Sequence, residues 1–325
     1  MTILSPVLLA GAALADLTLW LRRRKPWMAV RIVAFAWWFL FRDLLGVMGL
    51  GWAWVRTGGP LGGDSPARRR RVYDLQAGWA AGQLAGVRRI FGLTFAVEGD
   101  ELVEPVPAVF MIRHASIIDN ALPAALVSRP HRVDLRYVLK AELAKVPTLD
   151  IGGHWIPTCF VRRASGDAAA ETARVRVLAE DLGPREGVLV YPEGTRYTPE
   201  KLARAQASIA ASDPVTGLLA ARLHNLLPPR LGGPLALIDE AASADVVVIG
   251  HVGLDGFEYV SDVWSGALVG TTVRVRFWRH PREEIPADHE GRVAWLYGCW
   301  QELDDWVGAQ QIGSDPRTAK AAALR

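Results

Sequence analysis

The chain has 325 residues, of which 50% are hydrophobic, and its mean hydropathy of +0.14 implies that part of it meets lipid. A net charge of only +3, with no Lys/Arg run interleaved with base-stacking aromatics, excludes a nucleic-acid binder. The two cysteines, Cys159 and Cys299, are too few for a disulfide framework and lack metal-site spacing, so a reducing compartment is expected.

Residues 3–21, ILSPVLLAGAALADLTLWL, are just long enough to cross a bilayer, although Asp16 and Pro6 weaken a spanning helix and a shallow position fits equally. Arg22, Arg23, Arg24 and Lys25 follow this run instead of preceding it. That order argues against a cleaved secretory signal and for a main body on the cytoplasmic face of a membrane. Trp20, Trp27, Trp37, Trp38, Trp52 and Trp54 crowd the same front end, and indole rings favour the membrane–water interface. Residues 27–55 are apolar but carry Arg31, Arg42 and Asp43, so a long interfacial or re-entrant helix is expected. Residues 1–58 therefore read as membrane-associated helices. A basic linker, 59–71, follows, in which Arg68 to Arg71 suit anionic headgroups or a solvated loop.

The main domain is assigned to residues 72–310 and a flexible tail to 311–325. VYDLQAGWAAGQLAGVRRIFG, residues 72–92, predicts an amphipathic helix leading into it. Short apolar runs at 108–112, 135–139, 187–191, 245–249 and 273–277 predict buried strands, with Ala-rich helical stretches such as 168–182 between several of them. Near the end, Val293, Leu296, Trp300, Leu303 and Trp306 recur at steps of three and four, a helical packing stripe. The predicted fold is α/β, a mostly parallel sheet flanked by helices, with an N-terminal membrane-associated helical segment. Such sheets carry their sites beyond the carboxyl ends of strands.

MIRHASIIDNALP, residues 111–123, puts polar side chains at such an end. Within one continuous helix His114 and Asp119 would stand roughly 140° apart, whereas across a strand-to-helix junction they can meet. A carboxylate that accepts one imidazole N–H leaves the other nitrogen as a base. Ser116 reads as a helix cap. VLVYPEGTRYTPEK, residues 187–200, ends a second strand in a turn where Gly194 allows close backbone approach, Glu193 offers an acceptor for a hydroxyl, and Arg196 presents a planar fork suited to phosphate.

These two stretches, with LKAELAKVP (139–147) and GGHWIPTCFVRR (152–163) between them, resemble the glycerolipid acyltransferase family that includes 1-acyl-glycerol-3-phosphate acyltransferase. TRYTPEKLARAQ, NLLPPRLGG and EEIPADHEGRVAWLYGCWQELDDW are further similar to its lysocardiolipin and lysophosphatidylinositol branch, so the resemblance covers residues 72 to 306. It implies that His114 and Asp119 are catalytic, the histidine deprotonating an acceptor hydroxyl that attacks an acyl thioester. It implies that Glu193, Gly194, Thr195 and Arg196, with Arg163 and Lys140, seat the acceptor's glycerol and phosphate, although Lys140 serves equally as an ion-pair partner of Glu142.

The resemblance further implies an enzyme without cofactor or metal, taking acyl-CoA or acyl-carrier protein as co-substrate and a membrane lysophospholipid as acceptor. That acceptor is 1-acyl-glycerol-3-phosphate first, with lysophosphatidylinositol, lysocardiolipin or a glycolipid as alternatives. A non-catalytic lipid-binding protein and a thioesterase are the competing classes. Arg113 and Arg162 stand where the family usually has Asn and an acidic residue, and bear on the acceptor headgroup. DVVVIGHVGLDG, residues 245–256, lacks the family's usual proline, and His251 reads as a strand-end histidine. Pro228, Pro229 and Arg230 read as a structured loop first and as lining of the acceptor pocket second.

Overall fold

A computed structural model describes residues 5–23, 27–161, 168–257 and 259–314. The apolar front end forms two helices, α1 (Ser5–Arg23) and α2 (Met28–Arg56). Asp16, an awkward charge for a spanning helix, is buried because it caps the start of α2: Ala29 N–H donates to Oδ1 (3.0 Å) and Val30 N–H to Oδ2 (2.8 Å). The charges within α2 are likewise turned inward. Arg42 donates to Gly78 O (2.6 Å) of α3 (Pro66–Phe91), and Asp43 accepts the Thr148 N–H (3.2 Å). Trp38 adds a bond to Gly82 O (2.9 Å), its indole lying where a side chain on Gly86 would stand. The remaining face of α2 exposes Leu40, Phe41, Leu44, Leu45, Met48 and Trp52.

Arg68 to Arg71, expected in a linker, lie in the first two turns of α3. Ser65 caps the helix by accepting from Arg68 N–H, Pro66 fits its first position, and Gly92 ends it in the left-handed region (φ 73°).

Seven strands then form one sheet in the order β1-β7-β6-β2-β5-β3-β4. They are β1 (Thr94–Glu98), β2 (Ala108–Ile112), β3 (Asp134–Lys140), β4 (Thr158–Val161), β5 (Glu186–Val190), β6 (Asp245–Val252) and β7 (Thr272–His280). Every pairing is parallel except β6 with β7, so the sheet is mostly parallel, as expected. Five strands coincide with the predicted runs; β1 and β4 are additional.

The apolar runs are continuous because both faces of the sheet are covered. Val109 and Met111 of β2 pack on one side with α6 (Ala168–Arg176), α9 (Gly232–Glu240) and α10 (His289–Ser314); Ala108, Phe110 and Ile112 pack on the other with α3. Shorter helices α4 (Arg129–His131), α5 (Pro147–Gly153), α7 (Pro199–Ser212) and α8 (Pro214–Ala220) fill the connections. The predicted helix over 168–182 is shorter, passing into a 3-10 turn at Val177–Ala179. The α10 stripe packs as expected, with Leu296, Trp300 and Leu303 in the core. Arg162, Arg163 and tail residues 315–325 lie outside the described residues.

Candidate active site

The site gathers where β2, β3 and β5 end. Past β2 the ladder continues for one residue, Arg113 N–H donating to Ile249 O (3.0 Å), and alternation sends Arg113 and His114 to opposite sides. Arg113 is wholly buried, donating to His251 O and Asn225 O and paired with Asp255. It does not line the cavity, which corrects the expectation that it bears on the acceptor headgroup.

The His114 main chain is clamped to the turn after β5. Its N–H donates to Glu193 Oε1 (2.7 Å) and its carbonyl accepts from Tyr197 N–H (3.0 Å). Its imidazole lies 4.7 Å, centroid to centroid, from the Tyr191 ring, and the Tyr191 hydroxyl donates to Asp119 O (3.3 Å). His114 Nδ1 stands 3.2 Å from Asp119 Oδ2. The strand-to-helix junction predicted for this pair is a loop leading to a one-turn 3-10 helix that starts at Asp119.

Asp119 Oδ2 also accepts the N–H groups of Ala115 (2.7 Å) and Ser116 (2.9 Å), folding the loop around the carboxylate. His251, from β6, brings Nε2 to 3.4 Å of the same oxygen while donating to Arg113 O (3.1 Å). It is therefore a partner of the dyad rather than only a strand-end residue. Burial works to raise the Asp119 pKa, but the hydrogen bonds and charge of His114 and His251 outweigh it and hold the carboxyl well below its ordinary range. An ionised Asp119 accepts Nδ1–H and so orients the ring with Nε2 of His114 turned away from the carboxylate. Ser116 caps no helix: its buried hydroxyl accepts the Ile118 N–H (3.0 Å).

Glu193 is not a cavity residue, contrary to its expected role at an acceptor hydroxyl. It is buried, and each oxygen is committed to backbone: Oε1 to His114 and Oε2 to Leu227 N–H (3.1 Å). Burial pushes its pKa up to about 8 against those bonds and the Arg113 charge. Its neighbours do face the cavity. Gly194 (φ 64°), Thr195, Arg196 and Lys140 line it with His114 and Tyr191, around a volume of about 590 Å³. Val138, Leu143, Val161, Val175 and Val190 make an apolar wall. Lys140 lines the cavity and makes the expected ion pair with Glu142 (3.1 Å). Arg163 lies outside the described residues.

Tyr191, Arg230 and His251 were not among the expected site residues. Tyr191 ends a predicted strand beside the histidine, a position that marks it; the other two arrive through tertiary packing. Arg230, read first as part of a structured loop and second as pocket lining, lines the cavity. Among the described residues no His, Cys, Asp and Glu group is arranged to hold a metal ion.

The arrangement is a histidine–carboxylate pair beside a cavity with cations and an apolar wall. Residues 94–212 match the family model described as Acyltransferase. Over 174 residues the chain is 29% identical to the lyso-ornithine lipid O-acyltransferase of Pseudomonas aeruginosa, a match that takes in 52% of this chain and 60% of that relative. The chain thus spans less than two thirds of that relative's length. The fold is similar to that of the 1-acyl-sn-glycerophosphate (LPA) acyltransferase PlsC from Thermotoga maritima, with a TM-score of 0.55 and 14% identity over 87% of this chain and 98% of that one. The polar turns after β2 and β5 fall inside residues 94–212, the stretch that matches the Acyltransferase family model.

Proposed function

We propose that the protein is a membrane-bound acyltransferase that moves a fatty acyl group from acyl-CoA or acyl-carrier protein to the hydroxyl of a lysophospholipid, with 1-acyl-glycerol-3-phosphate as the leading acceptor. The observation that carries this reading is His114, paired with buried Asp119, lining the cavity that Gly194, Thr195 and Arg196 also line.

An alcohol is a poor nucleophile at neutral pH, so the step needs a base. His114 Nε2 takes the hydroxyl proton as the oxygen attacks the thioester carbonyl, and the charge that develops on the imidazole is met by Asp119. The carbon–sulfur bond breaks, and the thiolate leaves with that proton returned from His114. A thiol of pKa near 8.5 departs readily, so no acyl-enzyme is required. The apolar wall suits acyl chains, and Arg196 with Lys140 suits a headgroup anion. The apolar outer face of α2, a helix long enough to cross a membrane, supports attachment to lipid, with the body on the cytoplasmic side.

A second reading replaces the acceptor with lyso-ornithine lipid, favoured by the named relative and by Glu171, a carboxylate that lines the cavity and suits an ammonium. An acceptor panel with labelled acyl-CoA, products identified by mass spectrometry, separates the two. The reading fails if no lyso-lipid is acylated, or if free fatty acid forms as fast without acceptor as ester does with it.

A further inference from the structure

We propose that Arg230 is a specificity-determining residue for the acceptor, its guanidinium acting with Arg196 to hold the anionic group of the headgroup, a phosphate or a carboxylate. The inference rests on the acyl transfer proposed above and assigns a role to a loop outside the residues matched by the family model, 94–212.

That loop, between α8 and α9, is fixed along its length. The N–H groups of His224 and Asn225 donate to Asp304 of α10 (3.1 and 2.6 Å), Leu227 N–H to Glu193 (3.1 Å), and Arg230 N–H to Pro192 O (2.8 Å). Buried Asp304 and buried Glu193 therefore fix the main chain that carries the arginine, so that only its side chain remains for a ligand to order. The side chain then crosses Gly194: Nε lies 2.7 Å and Cζ 3.3 Å from where a Cβ would stand, so the guanidinium's place depends on that residue being glycine.

Arg230 lines the cavity with its side chain exposed, and among the described residues its guanidinium makes no hydrogen bond or ion pair. Other charges nearby are already matched, Lys140 by Glu142, Glu171 by Arg174 and Arg113 by Asp255. A planar fork held open over a lipid-sized cavity fits an oxyanion in bidentate fashion.

Donor phosphates carry the same chemistry, but the geometry favours the acceptor. Gly194 follows the residue whose carboxylate bonds the His114 N–H, so Arg230 stands close to the base. A headgroup anion is a few bonds from the reacting hydroxyl, whereas a pantetheine arm, comparable to three or four extended residues, sets the donor's phosphates roughly 12 Å from the thioester.

The test is steady-state kinetics of the full chain in mixed micelles with acyl-CoA, using lysophosphatidic acid and lyso-ornithine lipid as acceptors, for Arg230→Ala, Arg230→Lys and His114→Ala. Arg230→Ala should raise the acceptor KM about 10- to 100-fold while the acyl-CoA KM stays within about threefold, and Arg230→Lys should recover part of the loss. A rise confined to the acyl-CoA KM would assign Arg230 to the donor and overturn the proposal. Unchanged acceptor KM would overturn it too, as would an equal fall in kcat for both Arg230 variants, which marks a structural role. The wild type and His114→Ala keep the two levels apart: a wild type that acylates neither acceptor removes the acyl-transfer reading, full turnover in His114→Ala removes the base assignment, and active wild type beside unaffected Arg230→Ala removes only this inference.

Discussion

One oxygen, Asp119 Oδ2, receives two backbone N–H groups and faces two imidazoles. An amide at this position keeps one oxygen but puts an N–H₂ among donors. Asp119→Asn should therefore cost about 1–3 kcal/mol of stability and lower kcat by roughly 10²- to 10⁴-fold, read by thermal unfolding and single-turnover transfer. Glu193 makes a contrasting case, since its pKa is raised from 4.5 to about 8. The folded state holds that proton more tightly than the unfolded chain, so the carboxyl's contribution to stability falls as pH rises from about 4.5 to about 8. The stability of the wild type relative to Glu193→Gln should shrink across that window, and a pH-independent difference in denaturant midpoints would contradict the assignment. His114 and Asp119 were legible because five residues at a strand end bring their own partners together. His251 and Arg113 were not, because their meeting spans 138 positions and depends on β6 lying beside β2.

The turn after β5 depends on its glycine in two ways. Gly194→Ala would force a φ of 64° on a residue with a Cβ and push that Cβ against Arg230. A stability loss of about 1–2 kcal/mol should accompany a raised acceptor KM. At α1, Asp16→Ala removes the acceptor for two N–H groups at the start of α2. A loss of about 1 kcal/mol is expected, read in detergent as a fall of about 2–4 °C in the thermal midpoint. Interior strands were readable because burial on both faces demands unbroken apolar runs, as in β2, buried at every position. The edge strands β1 and β4 escaped, since β1 alternates exposed with half-buried residues and β4 is only four residues long. The charges of α2 took their meaning from tertiary packing. Arg31, Arg42 and Asp43 argued against a membrane-spanning helix, yet each is held by neighbouring protein, which leaves the opposite face apolar.

Taken as a whole, the molecule places the His114–Asp119 pair at the carboxyl ends of a mostly parallel sheet and an exposed apolar surface on α1 and α2. Leu44 and Met48, 57% and 61% exposed and four residues apart on α2, share one side of that surface. The double variant Leu44→Asp, Met48→Asp should lower co-flotation with phospholipid vesicles at least tenfold, because each carboxylate costs about 2.5–3.5 kcal/mol in the apolar layer. Unaltered flotation would place the lipid contact elsewhere. The account rests most heavily on His114 as the base, so the most direct measurement is kcat/KM for transfer from labelled acyl-CoA to the best lyso-lipid acceptor, with wild type and His114→Ala compared at equal folded concentration. A fall of about 10²- to 10⁴-fold with unfolding temperature preserved is the expected result. A folded His114→Ala protein that transfers acyl groups within a few-fold of wild type would contradict the account.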